Sequence, residues 1–212
     1  RSGEPTIDDW CRVVVAVADV QAATASQRRR LLATGLPDCA PSTTVDRFDR
    51  LLTIYADLPQ DHPTHVPPAL AARLRAVRPR LVDAVAQLEQ SPLPPAWQHG
   101  DLHPGNAFVA GDGVHLFDFG DSQWAHPLEA LVVPFGVVTT LSGVDWEPVL
   151  AAYADAWQLE VDVVREDWPA VLLTHAVNRS LTWWGCLAEG TAGDWDAWGE
   201  APRVHLTEVL AP

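Results

Sequence analysis

Four residues in one short stretch carry side chains that could act together: His99, Asp101, Asn106 and Asp118. A carboxylate such as Asp101 can accept or orient the proton of an attacking hydroxyl. The amide oxygen of Asn106, a few residues on, is a hard donor of the kind magnesium prefers. Pro104-Gly105 makes a turn between them, so a loop rather than a helix brings Asp101 and Asn106 towards one point. Asp118 ends an apolar run and is followed by Phe119-Gly120, giving a second carboxylate with backbone freedom to aim it from metal to phosphate. Phosphoryl transfer to a hydroxyl asks for this set, because it needs positioning and charge neutralisation more than covalent chemistry.

The elements that must hold these residues change texture along the chain. Residues 8–25 have helical spacing, with Trp10, Val14, Val17 and Val20 on one face and Thr6 three residues before Asp9 as a capping pair. A second helix is expected from Thr44, as its cap, to about Leu58, with Phe48, Leu51, Leu52 and Tyr55 inward. A third runs from Pro68 to Glu89, with a kink or break expected near Arg78 because Pro79 lacks the N–H that a helix interior uses. Residues 97–121 are short and glycine-rich. Ala107–Ala110 and Val114–Phe119 read as a hairpin around a three-residue loop, Gly111-Asp112-Gly113. Helices are expected again near 128–141, 146–159, 162–190 (where Pro169 is a candidate break) and 202–210. The expected organisation is helical over 1–96, catalytic loop and metal-binding hairpin over 97–121, and helical over 122–212.

Composition narrows the partners. The chain has 212 residues, a net charge of −14 and no lysine, so all 14 basic residues are arginine. Such a chain repels nucleic acid and anionic membranes. No apolar run reaches a membrane span's length. Cys11, Cys39 and Cys186 form no CxxC pair, which fits a reduced, cytoplasmic setting. The composition is that of a high-GC bacterial genome. The chain opens Arg1-Ser2-Gly3 and lacks methionine, so it reads as a trimmed or excised piece.

Other residues have weaker claims to chemistry. His103 is a loop stabiliser with an alternative as a phosphate or metal contact; Asp121 either assists a metal or faces solvent. His62 and His65 sit in a polar loop. Arg28-Arg29-Arg30 reads as a solvated helix end. Trp183, Trp184, Trp195 and Trp198 crowd together in sequence beside Glu189, Asp194, Asp196 and Glu200. That set reads as core packing plus a solvated loop, with an alternative as rings and carboxylates that hold a sugar or an ammonium group.

His99-Gly-Asp101-Leu-His103-Pro-Gly-Asn106, followed by a hairpin and Asp118-Phe-Gly, resembles the catalytic core of protein-kinase-like enzymes. The His-Gly-Asp-Leu-His-Pro-Gly-Asn form is similar to the aminoglycoside phosphotransferase family, which includes choline- and homoserine-kinase-like enzymes. Phe117-Asp-Phe-Gly-Asp121, His126-Pro127 and the late run His175 to Trp183 extend the likeness. The resemblance implies a mainly α fold with a small β-hairpin, the C-terminal helical lobe of the protein-kinase-like fold, with the N-terminal nucleotide lobe absent. It implies that Asp101 is the catalytic base, that His99 orients the loop, and that Asn106 and Asp118 bind Mg2+. The partners implied are ATP or GTP and a small-molecule hydroxyl acceptor. Gly100 replaces the arginine of protein kinases, which argues against control by activation-loop phosphorylation. Without a glycine-rich loop or a lysine, the chain is expected to be inactive alone, and an uncovered apolar face would favour self-association.

Two other readings remain. Gly-Asp-Leu-His also occurs in two-metal phosphoesterases, but these need a second Asn-His pair and a later His-x-His, which the chain lacks. The alternative outside catalysis is a small-molecule-binding or pseudokinase lobe, which would hold acceptor without magnesium-nucleotide.

Overall fold

A computed structural model describes residues 5–111, 113–140 and 145–211. Asp112, Leu141 and the opening Arg1-Ser2-Gly3 lie outside the described residues. The chain divides into two compact units, each assembled from two stretches of sequence: residues 1–40 with 91–168, and residues 41–90 with 169–212.

In the first unit, α1 (Ile7–Thr24) starts where the sequence predicts. Thr6 accepts a hydrogen bond from the Asp9 N–H, and the Asp9 carboxylate accepts one from the Thr6 N–H. Its buried face is Trp10, Val13, Val14, Val17, Ala18 and Gln21. Val20, expected inward, is exposed, because the inward stripe runs on through Val17, Ala18 and Gln21. Gln21 is buried yet satisfied: its Nε2 donates to the Pro127 carbonyl at 2.9 Å and its Oε1 accepts from the Tyr153 hydroxyl at 2.7 Å. A short helix α2 (Arg28–Leu32) follows, and Arg28 pairs with Asp38.

Two small antiparallel ladders follow. β1 (Ala96–Gln98) pairs with β4 (Gln123–Ala125), Gln98 opposite Gln123. β2 (Ala107–Ala110) pairs with β3 (Gly113–Leu116), from Ala107 opposite Leu116 to Ala110 opposite Gly113. The hairpin loop is therefore one residue shorter than expected, since Gly113 belongs to the ladder. Gly111, at φ +54°, takes the left-handed conformation that such tight turns need. A 3-10 turn (Pro127–Leu131) leads into α5 (Val132–Thr140), and α6 (Glu147–Ala156) packs on α1.

In the second unit, α3 (Pro41–Asp57) begins three residues before the expected cap; Thr44 is a buried helix residue, and Pro41 provides the start. Phe48, Leu51, Leu52 and Tyr55 are all buried, each contributing roughly 1.5–3 kcal/mol of transfer free energy. The Tyr55 hydroxyl meets Ser180 Oγ at 3.0 Å, and Ser180 in turn donates to the Pro202 carbonyl at 2.7 Å. Arg47, also buried, donates to Asn178 Oδ1 and Thr43 Oγ1, both at 2.6 Å.

α4 (Pro68–Leu88) runs unbroken through Pro79, against expectation. Pro79 stands on the exposed face, so the carbonyl it leaves without a helical partner can turn to water. α7 (Val161–Ala188) is likewise one hydrogen-bonded helix, although the division between the two units falls at Pro169. α8 (Ala192–Trp198) occupies the stretch expected as a solvated loop. A Thr191–Asp194 capping box starts it. α9 (Ala201–Thr207) precedes a final 3-10 turn, Glu208–Leu210. No helix among the described residues is long and apolar enough to cross a membrane.

Candidate functional site

The β1–β4 ladder is the base of the loop. Residues 99–122 leave from Gln98 and return at Gln123, its paired neighbour, so the stretch from His99 to Asn106 and the hairpin form one closed excursion. Three contacts close its neck. The Gly100 N–H donates to Gln98 Oε1 at 2.6 Å, and Ser122 Oγ donates to the His99 carbonyl at 3.5 Å. Gly100 itself, at φ +86°, lies so close to Asp121 that a Cβ placed there would be 2.0 Å from the Asp121 carbonyl oxygen. Gly100 is thus the residue that lets the outgoing and returning strands pass.

His99 ties the loop to Asp118. Its ring is fully buried, with Trp97 and Phe119 against it at centroid distances of 6.0 and 5.4 Å. Nδ1 faces the Asp101 N–H at 3.4 Å, so the proton is assigned to Nε2, which donates to the Phe117 carbonyl at 2.7 Å. Burial holds this imidazole below its ordinary pKa, against the opposing pull of the Phe117 carbonyl and of the Asp101 and Asp118 carboxylates. A neutral His99 with a fixed tautomer therefore sets the backbone on both sides of the site.

Asn106 makes the second tie. Its side-chain Nδ2 donates to the Asp101 carbonyl at 2.9 Å, its N–H donates to the His103 carbonyl at 2.9 Å, and its own carbonyl accepts from the Phe117 N–H at 2.9 Å. Asn106 is buried, and its Oδ1 carries no hydrogen bond among the described residues. Asp118, one residue beyond that last contact, is exposed and sits at φ +54°. A left-handed conformation costs a non-glycine residue roughly 1–2 kcal/mol, and strain of this sort gathers at functional sites.

His103 accepts from the Gly105 N–H through Nδ1 at 3.0 Å, and its Nε2 lies 3.7 Å from Asp101 Oδ2. The ring lies so close over Gly105 that a Cβ there would meet it at 2.7 Å. Asp121 enters the neck through its backbone.

The sequence missed Gln98, Ser122 and the steric role of Gly100, because no local pattern links Gly100 to Asp121. Phe108, Phe117 and Phe119 are about half exposed on this excursion, another feature that apolar periodicity did not reveal.

The model of the phosphotransferase enzyme family matches residues 7–173, most of the chain and all of this excursion. The chain belongs to that family. No curated protein matches it. Membership brings kinase-type transfer, the chemistry for which the aminoglycoside-phosphotransferase form of the loop speaks. Among the described residues of this phosphotransferase-family chain, no three His, Cys, Asp or Glu side chains cluster as a complete metal cage. A magnesium ion that relies on substrate phosphates needs no such cage: one or two protein oxygens suffice. The unengaged Asn106 Oδ1 and the Asp118 carboxylate are hard donors of that kind.

The residues outside the excursion have separate fates. His62 packs on Trp195 and Trp184 at 5.0 and 6.3 Å, and its Nδ1 accepts from the Thr64 N–H. Trp183 lies 5.5 Å from Trp198 and carries the Arg179 guanidinium at 5.6 Å. Of the nearby carboxylates, Asp194 caps α8 and Glu200 pairs with Arg203 at 3.0 Å.

Proposed function

We propose that this chain supplies the catalytic base and metal ligands of a phosphotransferase that moves the γ-phosphoryl group of ATP or GTP to a hydroxyl of a small, polar, amine-bearing molecule. The observation that carries the proposal is the pair of ties at His99 and Asn106, which hold the Asp101 backbone and Phe117, the residue beyond β3 that precedes Asp118, in one hydrogen-bonded frame. Asp101, part-exposed, accepts the hydroxyl proton as the new O–P bond forms. The bond from the γ-phosphorus to the bridging oxygen breaks, and the nucleoside diphosphate leaves. Asn106 Oδ1 and Asp118 would hold Mg2+, which neutralises phosphate charge when bound. His99 positions the loop and takes no proton from substrate.

The 212 residues contain no lysine to clasp phosphates, and we assign this chain the metal and acceptor side of the reaction, inactive by itself. The half-exposed Phe108, Phe117 and Phe119 favour self-association when nothing covers them. The amine preference rests on the chain's acidity, since a net charge of −14 attracts cations.

The deciding experiment is a screen of hydroxyl acceptors with radiolabelled ATP or GTP and Mg2+. It is run on the chain alone and on the chain fused behind a nucleotide-binding lobe of the same family. Phosphate-ester formation by the fusion, strongest with amine-bearing alcohols and abolished by Asp101→Asn, supports the reading. Transfer that survives Asp101→Asn refutes it. Acceptor binding that ignores magnesium and nucleotide, without transfer, would favour a sequestering lobe instead.

A further inference from the structure

The second unit contains a cavity of about 420 Å³ where the end of α3, the connection after it and the first turns of α4 meet. No residue of the 99–122 excursion lines it, so it is a separate feature. Its volume lies within the range of small-molecule sites, about 300–1,000 Å³.

Its lining has two characters. Leu58, Val66 and Ala71 give it an apolar floor, and Gln60, His65 and Arg75 give it polar heads. No carboxylate lines it. In a chain of net charge −14 this is a local reversal of sign, and α4 explains it. That helix carries Arg73, Arg75, Arg78 and Arg80 against one acid, Asp83. Two of these arginines are engaged elsewhere: Arg78 with Asp49 at 2.9 Å, and Arg80 with the Ala211 carbonyl at 2.6 Å. Arg75 has no carboxylate within ion-pair distance among the described residues, so its planar fork of donors is unspent. His65 donates its backbone N–H to the His62 carbonyl at 2.9 Å, but its Nδ1 is shut off from solvent without a hydrogen-bond partner. A buried polar atom in that condition calls for a partner.

We propose that this cavity binds a small organic anion, a carboxylate or phosphate monoester on a short apolar body. Arg75 engages the anionic head through its guanidinium fork, the geometry in which arginine exceeds lysine. Gln60 and the His65 ring flank the head. The body lies on Leu58, Val66 and Ala71. The proposal is independent of the phosphotransferase reading: either can fail without the other.

The test uses the 212-residue chain and backbone-amide NMR. Benzoate and phenyl phosphate are the anionic probes, benzylamine carries the same ring with a positive charge and benzyl alcohol carries it with none, and inorganic phosphate carries the negative charge without the ring. Saturable shifts at His65, Val66, Ala71 and Arg75 are expected with benzoate or phenyl phosphate. Arg75→Gln, an exposed position whose change leaves the fold intact, should weaken that binding at least about tenfold, or about 1.4 kcal/mol. Arg75→Lys should fall between the two. Equal response to all four ring probes, equal binding of inorganic phosphate, unchanged affinity in Arg75→Gln, or the absence of saturable shifts at these amides would each overturn the proposal.

Discussion

The side-chain amide of Asn106 donates to the backbone carbonyl of Asp101, across 2.9 Å and five positions of sequence. This one bond sets the chemistry of both residues. It uses the nitrogen end of the Asn106 amide, so the oxygen end remains for a cation. It also holds the Asp101 backbone from within the loop, while the His99 ring accepts from the Asp101 N–H on the other side.

Asn106→Ala should therefore do two separable things. Losing the tie should cost about 1 kcal/mol of loop stability, seen as faster amide exchange from Asp101 to Gly105. Losing Oδ1 should weaken Mn2+·nucleotide binding, read as reduced paramagnetic broadening around Phe117 and Asp118. Asn106→Asp keeps oxygen donors but removes the N–H, so it should loosen the loop while retaining cation binding. Equal loss of both properties in the two variants would contradict this division of labour.

Gly100→Ala should destabilise the first unit by at least about 2 kcal/mol, from a left-handed φ combined with overlap on the Asp121 carbonyl. Chemical denaturation measures it. Gly120→Ala, where the nearest atom to a new Cβ is Asp118 Oδ1 at 3.5 Å, should fold nearly as well as the parent. If Gly100→Ala is as stable as the parent, the neck geometry is wrong.

The His-x-Asp-x-x-x-x-Asn spacing was legible because its contacts are local: a turn at Pro104-Gly105 and one amide bond across it. What stabilises that spacing was not. The strands β1 and β4 are three residues each, too short to show a period, and their pairing of Ala96 with Ala125 is long-range. Gly100 is needed because of Asp121, which no local pattern links to it. α8 was not legible because seven residues make barely two turns, too few to show a period, although the Thr191–Asp194 capping pair stands in the sequence. Pro79 misled in the opposite direction. A proline on the wet face of a helix removes one hydrogen bond without ending the helix.

Two buried histidines should make the fold acid-sensitive above the carboxylate range. Burial pushes His126 down to about 4; in the other unit it pushes His175 to about 3, helped by the charges of Arg179 and His205. A base whose folded pKa lies below its unfolded value of about 6.5 leaves the unfolded state binding more protons. Stability is thus full above about pH 6.5 and falls as pH drops towards the folded value. By pH 5 each histidine should have cost on the order of 2 kcal/mol. Urea midpoints at pH 7 and pH 5 measure this, and His126→Gln should lose about that much less between them in the first unit. A parent protein equally stable at both pH values would show that these rings are not held neutral.

The final prediction concerns turnover. In the fusion with a nucleotide-binding lobe, Asp101→Asn should lower kcat at least about a hundredfold, the range for a positioned base. The KM for acceptor should change much less, because the Asn106 and His99 ties act on the backbone and survive the substitution. His99→Gln should behave differently. It removes the ring that spans Asp101 and Phe117, so the loop should lose its register, and kcat and metal affinity should fall together. The unfused chain should give no product with either nucleotide, since none of its 212 residues is a lysine that could hold the phosphates. Transfer depends on a complete set of charges around the moving group, and half a cradle removes most of the acceleration. Phosphorus NMR of the chain with Mg2+, ATP and the best acceptor from the screen decides the point. Steady product formation by the unfused chain, sensitive to Asp101→Asn, would keep Asp101 as the base and overturn the need for a second lobe. Turnover in the fusion that is indifferent to Asp101 would remove the base itself.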